Sequence, residues 1–488
     1  MFSKRSPKPP APLALEEILA LELSDFNASD RRWWMLTGEE YYTCGDTEIA
    51  RRQPGRVENG RLVPDDSRPN NRLHHSYLKN MVDDKVAYLL SRDCTLRCED
   101  AQYVRLVTET LGRDFTYLLT RLGLESSNKG VAWLQVYIDE EGRFGLQMVP
   151  AEQCVPLWAD DAHTRLDGLI RYYDRTLYEG RVRRTRTQVE YYTPQEVRHY
   201  VLEDGRLYEE VDAHENPVQP HFVSNGRAMG FGRVPFVAFR NNGYELPDLR
   251  FVKSLIDEYD KTRSDNANFL EELRKLYWVL KGYSGTDLAE FRRNLNWYGV
   301  IRIDDPADGG VETICPQVDL SGFSAHFDQL RRDIIECGQG VNKNVDAIGS
   351  NSSGVALKFL HSSLDLKCNH LEVEYQHSFR QLLYFVNRYL AVRGEGDFNE
   401  VSMDIVFNRD IMVNESEAIE NCVRSLEVLS RKSVLEQHPW VKDVALELER
   451  LRQEQAAAPA AAVSGPQNAA PAAPAEPEER TEAEKEEA

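Results

Sequence analysis

The chain has 488 residues, with 59 basic against 80 acidic side chains, a formal net charge of −21 at pH 7. That balance argues against tight, sequence-independent nucleic-acid binding, which needs clustered Lys and Arg to displace counterions, but not against a protein past which nucleic acid slides. The length allows two to four domains, and with no apolar leader and no run of about 18 apolar residues a soluble, cytosolic protein with no membrane partner is expected.

Residues 1–12 are basic and proline-rich and read as a loose arm. From Leu13 to Asn128 the pattern is mainly helical, broken by the Gly/Pro/Asp-rich segment Gly55–Asn71. Within it, Asn80–Ser91 sets Met81, Lys85, Tyr88 and Leu89 on one helical side, with Asp83 and Asp84 off it. From Lys129 to Asn241 the period changes to two. Val131–Ile138, Gly168–Tyr173, Gln188–Tyr192, Val197–Leu202 and Val234–Phe239 predict strands of an antiparallel β-domain.

Helix returns over Pro247–Leu273, where Asp248 is placed as an N-cap. Strands are expected at Tyr277–Lys281, Val300–Ile303 and Val311–Ile314, with a short helix at Asp287–Leu295. A further helix covers Asp319–Cys337. Two helices flanking a small α/β insert are free to run antiparallel and carry it at their far end. After Gly338-Gln339-Gly340 comes the polar loop Val341–Ser353, whose two charges are Lys343 and Asp346, and in which Ser352 or Ser353 can cap the next helix. Gly354–Arg393 then runs without proline or internal glycine, a strut of about 60 Å at 1.5 Å per residue. A strand at Val401–Phe407 and helices over Ser416–Leu429 and Trp440–Arg452 follow. The Ala/Pro/Glu-rich tail from Gln455 lacks the apolar surface to offset its chain entropy and is expected to be disordered.

Catalytic patterns are weak. Cys44, Cys94, Cys98, Cys154, Cys315, Cys337, Cys368 and Cys422 form no CxxC pair and read as reduced thiols. The acidic pairs Asp83-Asp84 and Asp304-Asp305 point their carboxylates apart on either a helix or a strand. Gly338-Gln-Gly340 follows a helix, the wrong context for a dinucleotide fingerprint. There is no GxxxxGK[ST] sequence, and Gly282-Tyr-Ser-Gly285 misses the nucleophile-elbow spacing. No catalytic residue, cofactor or metal is expected. Asp257, Asp260, Asp265 and Asn266 fit either a solvated or a channel-facing helix side.

Six segments in order resemble the portal proteins of tailed double-stranded DNA phages, in the branch found in long-tailed phages of Gram-positive hosts. They are Asn71–Ser91, Val234–Asn242, Lys253–Leu273, Val279–Asp287, Gly309–Thr313 and Ser353–Lys367, within a match over roughly residues 30 to 420. Where that family often has basic or glycine-rich hairpin residues, this chain has Ser91-Arg92-Asp93.

The resemblance implies an α+β subunit of a ring, usually of twelve copies, at one capsid vertex. It divides the chain into an N-terminal arm (1–30), a helical then β-rich wing (31–247), stem helices (248–273 and 319–340) around a clip (274–318), and a tunnel loop (341–353). A spine helix with a wing strand (354–411), a helical crown (412–455) and the acidic tail (456–488) complete it. It implies double-stranded DNA in the channel, touched by Lys343, Asn344 and Asp346. Terminase large subunit and head-completion or adaptor proteins would dock at the clip, for which exposed charge and aromatics single out Asp287, Glu290, Arg292, Arg293, Trp297 and Tyr298. Scaffolding and major capsid protein would meet the wing. The resemblance places the protein in the virion, after assembly in the host cytoplasm. The alternatives are another head–tail connector ring and a metal-dependent nucleic-acid-processing enzyme.

Overall fold

A computed structural model describes residues 13–457 apart from 59, 66–67, 212–215, 274–276, 282–309, 315–319, 344–353, 410–414 and 442–443. The chain forms two compact units, Met1–Met412 and Val413–Ala488. The first opens with α1 (Leu15–Asn27), α2 (Asp30–Thr43) and the single turn α3 (Glu48–Arg51). Ser29 caps α2 by accepting the Arg32 N–H at 3.2 Å. The segment expected to be irregular contains an antiparallel hairpin of β1 (Gly55–Glu58) and β2 (Arg61–Pro64). Next come α4 (Tyr77–Leu90), β3 (Thr95–Arg97), α5 (Ala101–Leu111) and α6 (Phe115–Lys129). The buried side of α4 holds Met81, Lys85, Tyr88 and Leu89, as its periodicity predicts.

The β-rich block comprises β4 (Val131–Ile138), β5 (Phe144–Val149), β6 (Cys154–Trp158), β7 (Leu166–Glu179), β8 (Val182–Tyr192), β9 (Glu196–Glu203), β10 (Arg206–Glu209) and β11 (Val218–Pro220). The short β12 (Phe222–Ser224) and β13 (Arg227–Met229) and then β14 (Phe236–Arg240) close it. One antiparallel sheet has the order β10-β9-β8-β7-β6 with β11 added on β9, and a second has the order β14-β4-β5. The smaller sheet separates two cores, and this explains why β4 reads as a continuous apolar run. Side chains alternate along a strand, so Val131 and Trp133 face one core while Ala132, Leu134 and Val136 face the other. Along β14, Phe236 and Ala238 face the first of these cores, and Val237 and Phe239 the second. A one-residue slip would exchange both sets at once, so the register is tightly specified. On the Trp133 side, α1 closes the core with Leu19, Leu23 and Phe26. Residues 15–27 are therefore an integral layer of this unit.

Helix α7 (Lys253–Leu273) leads into β15 (Tyr277–Lys281), which pairs with β16 (Gly310–Ile314) ahead of α8 (Leu320–Cys337). The end of α7 and the start of α8 thus feed one antiparallel ladder. The two helices also meet directly, with the Tyr259 and Phe327 rings 6.1 Å apart and the Arg263 guanidinium 4.7 Å from the Phe327 ring. The helix and strand expected at 287–295 and 300–303 lie outside the described residues.

Helix α9 spans Gly354–Arg393 without a break, the bounds read from the sequence. Leu364, Cys368, Leu371, Tyr375, Phe379, Leu382, Val386 and Leu390 recur at three- and four-residue steps along its buried stripe. This stripe lies in the core lined by Val82, Val86, Leu134 and Val237. Gly394, at φ 76°, ends the helix in the left-handed conformation that glycine adopts without cost. After it β17 (Asp404–Val406) pairs with β3. The second unit holds α10 (Glu415–Ser425), α11 (Arg431–Gln437) and α12 (Val444–Ala457), with Cys422 and Val434 buried. The mixture of helices with antiparallel sheets is the expected α+β class.

Leu134 is fully buried on the central strand. Leu134→Ala is expected to lower unfolding free energy by about 2–5 kcal/mol in urea titration at fixed protein concentration.

Candidate functional site

The segments around loop 341–353 converge on one carboxylate. Asp248 was placed as an N-cap, but α7 begins only at Lys253, after a 3-10 turn over Asp248–Phe251. Its side chain turns inward instead. Asp248 Oδ2 accepts from Lys85 Nζ at 2.7 Å and lies 3.0 Å from Lys367 Nζ, while Asp248 Oδ1 accepts from Asn241 Nδ2 at 2.8 Å. Lys85 Nζ donates to Asn241 Oδ1 at 2.7 Å, and Lys367 Nζ to the Gly338 carbonyl at 2.9 Å. Side-chain exposure is 1% for Lys85 and 4% for Asp248. Burial favours a neutral carboxyl at Asp248, but Lys367 and Lys85, with the hydrogen bonds from Lys85 and Asn241, outweigh it and hold the group below its usual range. Burial also disfavours the Lys85 ammonium; Asp248 opposes that and Lys367 adds to it, and the pKa falls to about 8.

Removing one member of such a cluster strands a buried charge, which is costlier than the net worth of the pair. The cluster joins α4, the end of β14, the approach to α7, the end of α8 and α9. A lysine on the apolar side of α4 was the signal in the sequence, because a buried lysine requires a counter-ion.

The glycine pair before the loop acts through close approach. A Cβ on Gly338 would lie 2.3 Å from Met81 Sδ, and one on Gly340 3.1 Å from Met81 Cγ. The left-handed residue is Gln339, at φ 53°. Its N–H bonds the Glu336 carbonyl at 3.1 Å, and the Gly340 N–H the Ile335 carbonyl at 2.8 Å, a Schellman ending for α8. Ser363 Oγ reaches the Gly340 carbonyl at 3.4 Å.

Lys343 is 66% exposed and its Nζ donates to Asp84 Oδ1 at 2.8 Å. Asp84 precedes Lys85 on α4, so one turn of that helix supplies the buried lysine and the outer tether of the loop's first residues. Asn344 and Asp346 lie outside the described residues, as do Asp287, Glu290, Arg292, Arg293, Trp297 and Tyr298. Asp257, Asp260 and Asp265 of α7 are engaged within the chain. Asp257 meets Tyr41 and, at 2.7 Å, Lys253; Asp260 meets His75 Nδ1 at 2.6 Å; Asp265 meets Arg52. Burial raises the Asp260 pKa, and the His75 hydrogen bond works against that rise. The Asn266 Oδ1 atom is buried without a hydrogen-bond partner among the described residues.

Among the described residues no group of three or more His, Cys, Asp or Glu is placed to hold a metal, and no helix is long and apolar enough to cross a membrane.

The family model described as "Phage portal protein, SPP1 Gp6-like" matches residues 27–459. The chain belongs to this phage portal family. It is 30% identical over 423 residues to the portal protein of Bacillus phage SPP1, covering 86% of this chain and 83% of that protein. It is 29% identical over 470 residues to the portal protein of Clostridium phage phiCD119, covering 93% and 99%. A solved structure titled "Neck of native GTA particle computed with C12 symmetry" is a distant likeness, with TM-score 0.37 and 11% identity over 73% of this chain and 87% of that one. The protein is accordingly a phage portal protein, a virion component of a structural family that works as a ring. The loop, the insert between α7 and α8, and α9 all lie inside the matched span.

Three outcomes test the portal subunit's junction. Lys85 has a folded-state pKa below the 10.5 of the unfolded chain, so the unfolded state binds more protons between about pH 8 and 10.5. Stability from this group rises with pH across that window. In urea titrations at several pH values Lys85→Met is expected to lose that rise, and Asp248→Ala to cost about 3–5 kcal/mol at pH 7. Gln339→Gly is expected to add about 1 kcal/mol by relieving the left-handed backbone.

Proposed function

We propose that this portal protein forms the channel through which the terminase packages the genome at one capsid vertex, and through which the genome later leaves. The observation that carries this reading is the family match across residues 27–459, which includes every segment the reading needs. The α7–α8 pair is the stem, residues 274–318 the clip, residues 341–353 the tunnel loop, α9 the spine, and the helices after 412 the crown. Terminase large subunit docks on the clip during packaging through Asp287, Glu290, Arg292, Arg293, Trp297 and Tyr298. Head-completion or adaptor proteins take the same face afterwards. Scaffolding and major capsid protein meet the wing during assembly in the host cytoplasm.

Charge supports a conduit over a DNA-binding protein. At −21 per chain, a ring of twelve carries about −250, and phosphate affinity grows with the cations that contact it. Lys343 is the cation of the loop, and the Asp84 carboxylate 2.8 Å away offsets its charge. An exposed pair of this kind is worth at most about 1 kcal/mol, so Lys343 can exchange Asp84 for a passing phosphate and return. Transient contact of this sort suits a moving duplex. Asn344 offers a neutral hydrogen-bonding group and Asp346 a repulsive one.

The purified protein is expected to sediment as a ring, about 670 kDa for twelve copies of the 56.0 kDa chain. A uniform monomer at capsid-like ionic strength contradicts the reading. Lys343→Ala with Asp346→Ala is expected to leave rings intact while lowering the DNA packaged or retained in an in vitro assay. Unchanged packaging removes the role given to the loop.

A further inference from the structure

An acidic chain carries one strongly basic projection. β7 pairs with β6 only as far as Arg171, and β8 pairs with β9 only from Thr187 onward. Beyond those points the two strands continue alone as an antiparallel ribbon turning at Gly180-Arg181. Residues 175–186 contain Arg175, Arg181, Arg183, Arg184 and Arg186 against the single acid Glu179, and no lysine. Arg175 stands directly opposite Arg186, a like-charged cross-strand pair that weakens the ribbon. Glu203 lies 3.9 Å from Arg186. Tyr178 is 74% exposed beside these arginines, and Val182 is exposed as well. An isolated two-stranded ribbon is marginal in water. This one repeats cations where its own stability disfavours them. Exposed Arg and Tyr without Lys is the composition of a protein–protein contact.

A complementary surface exists on the same chain. The outer side of α1 presents Glu17, Ile18, Leu21, Glu22 and Asp25, all exposed, on the arc opposite its buried Leu19, Leu23 and Phe26. The helix contains no Lys or Arg, and Leu21 is 53% exposed. Within one chain, Asn27 at the end of α1 bonds Tyr172 at the root of the ribbon at 2.8 Å. From Tyr172 to Glu179 the ribbon runs on for about 25 Å.

We propose that the Arg-rich ribbon of one copy docks on the acidic, partly apolar outer face of α1 in the next. Such a contact joins two different patches, and repeated around an axis it closes a ring. Arg175 and Arg184, which share one face of the ribbon, meet Glu22 and Asp25, while Val182 on that same face covers Leu21. The inference rests on the ring reading above and names the wing contact that would help close it.

The test uses the full-length chain and mass photometry over a concentration series, with circular dichroism to confirm folding. Arg175→Glu with Arg184→Glu is expected to raise the concentration needed for rings on the order of tenfold, the loss expected for placing like charges face to face. Glu22→Arg with Asp25→Arg, made separately, is expected to do the same. Combining all four changes is expected to restore assembly, because the charges are exchanged and the pairing kept. The inference is overturned if the arginine variant assembles like the unaltered chain, or if the four-fold variant fails to recover. It is also overturned if the arginine variant keeps its rings but loses binding to a double-stranded DNA probe, which would make the ribbon a nucleic-acid contact. An unaltered chain that never forms rings defeats the portal reading itself, a separate result.

Discussion

Asp248 lies 2.7 Å from one lysine ammonium and 3.0 Å from another, in a place where water does not reach. The rest of the first unit is arranged around that fact. A lone carboxylate there would have to be neutral; two cations keep it ionised, and Asn241 satisfies its remaining oxygen. The participating segments, spread from Lys85 to Lys367 in the chain, are tied together because none of these charges tolerates losing its partners. Lys367 matters doubly, since it also holds the Gly338 carbonyl at the end of α8. Residues 338–343 are thereby anchored on both sides, to α9 through Lys367 and to α4 through the Lys343–Asp84 pair.

Hydrophobic packing gives this junction a rigid setting. The β14-β4-β5 sheet is covered on both faces, and α9 buries a continuous stripe along its described length. A helix of 40 residues fixed in this way transmits little bending to its ends. That combination fixes the position of Gly338–Lys343, which lead into residues 344–353.

Much of the fold was legible in the sequence. The 40-residue helix was readable because nothing in it breaks the pattern and Gly394 supplies the stop. Strand β4 was readable from Val131–Ile138 as a run of β-formers. Helix α11 was missed because seven residues give too little periodicity, although Ser430 caps it. The β1–β2 hairpin was hidden among turn-forming residues. The junction was harder to see. Asp248 before an apolar helix looks like a cap, and only the fold brings Lys85 and Lys367 to it. Nothing in the sequence points from Lys343 to its partner, because Asp84 is 259 residues away along the chain. Local patterns report capping and burial, but they do not report partners at such separations.

A reconstruction of the assembled ring in which Lys343 is located, for instance through a labelled cysteine at that position, tests the central claim most directly. The account requires Lys343 and the loop after it to line the narrowest part of a central channel, with α9 running outward from it. A ring with Lys343 on its outer wall contradicts the account.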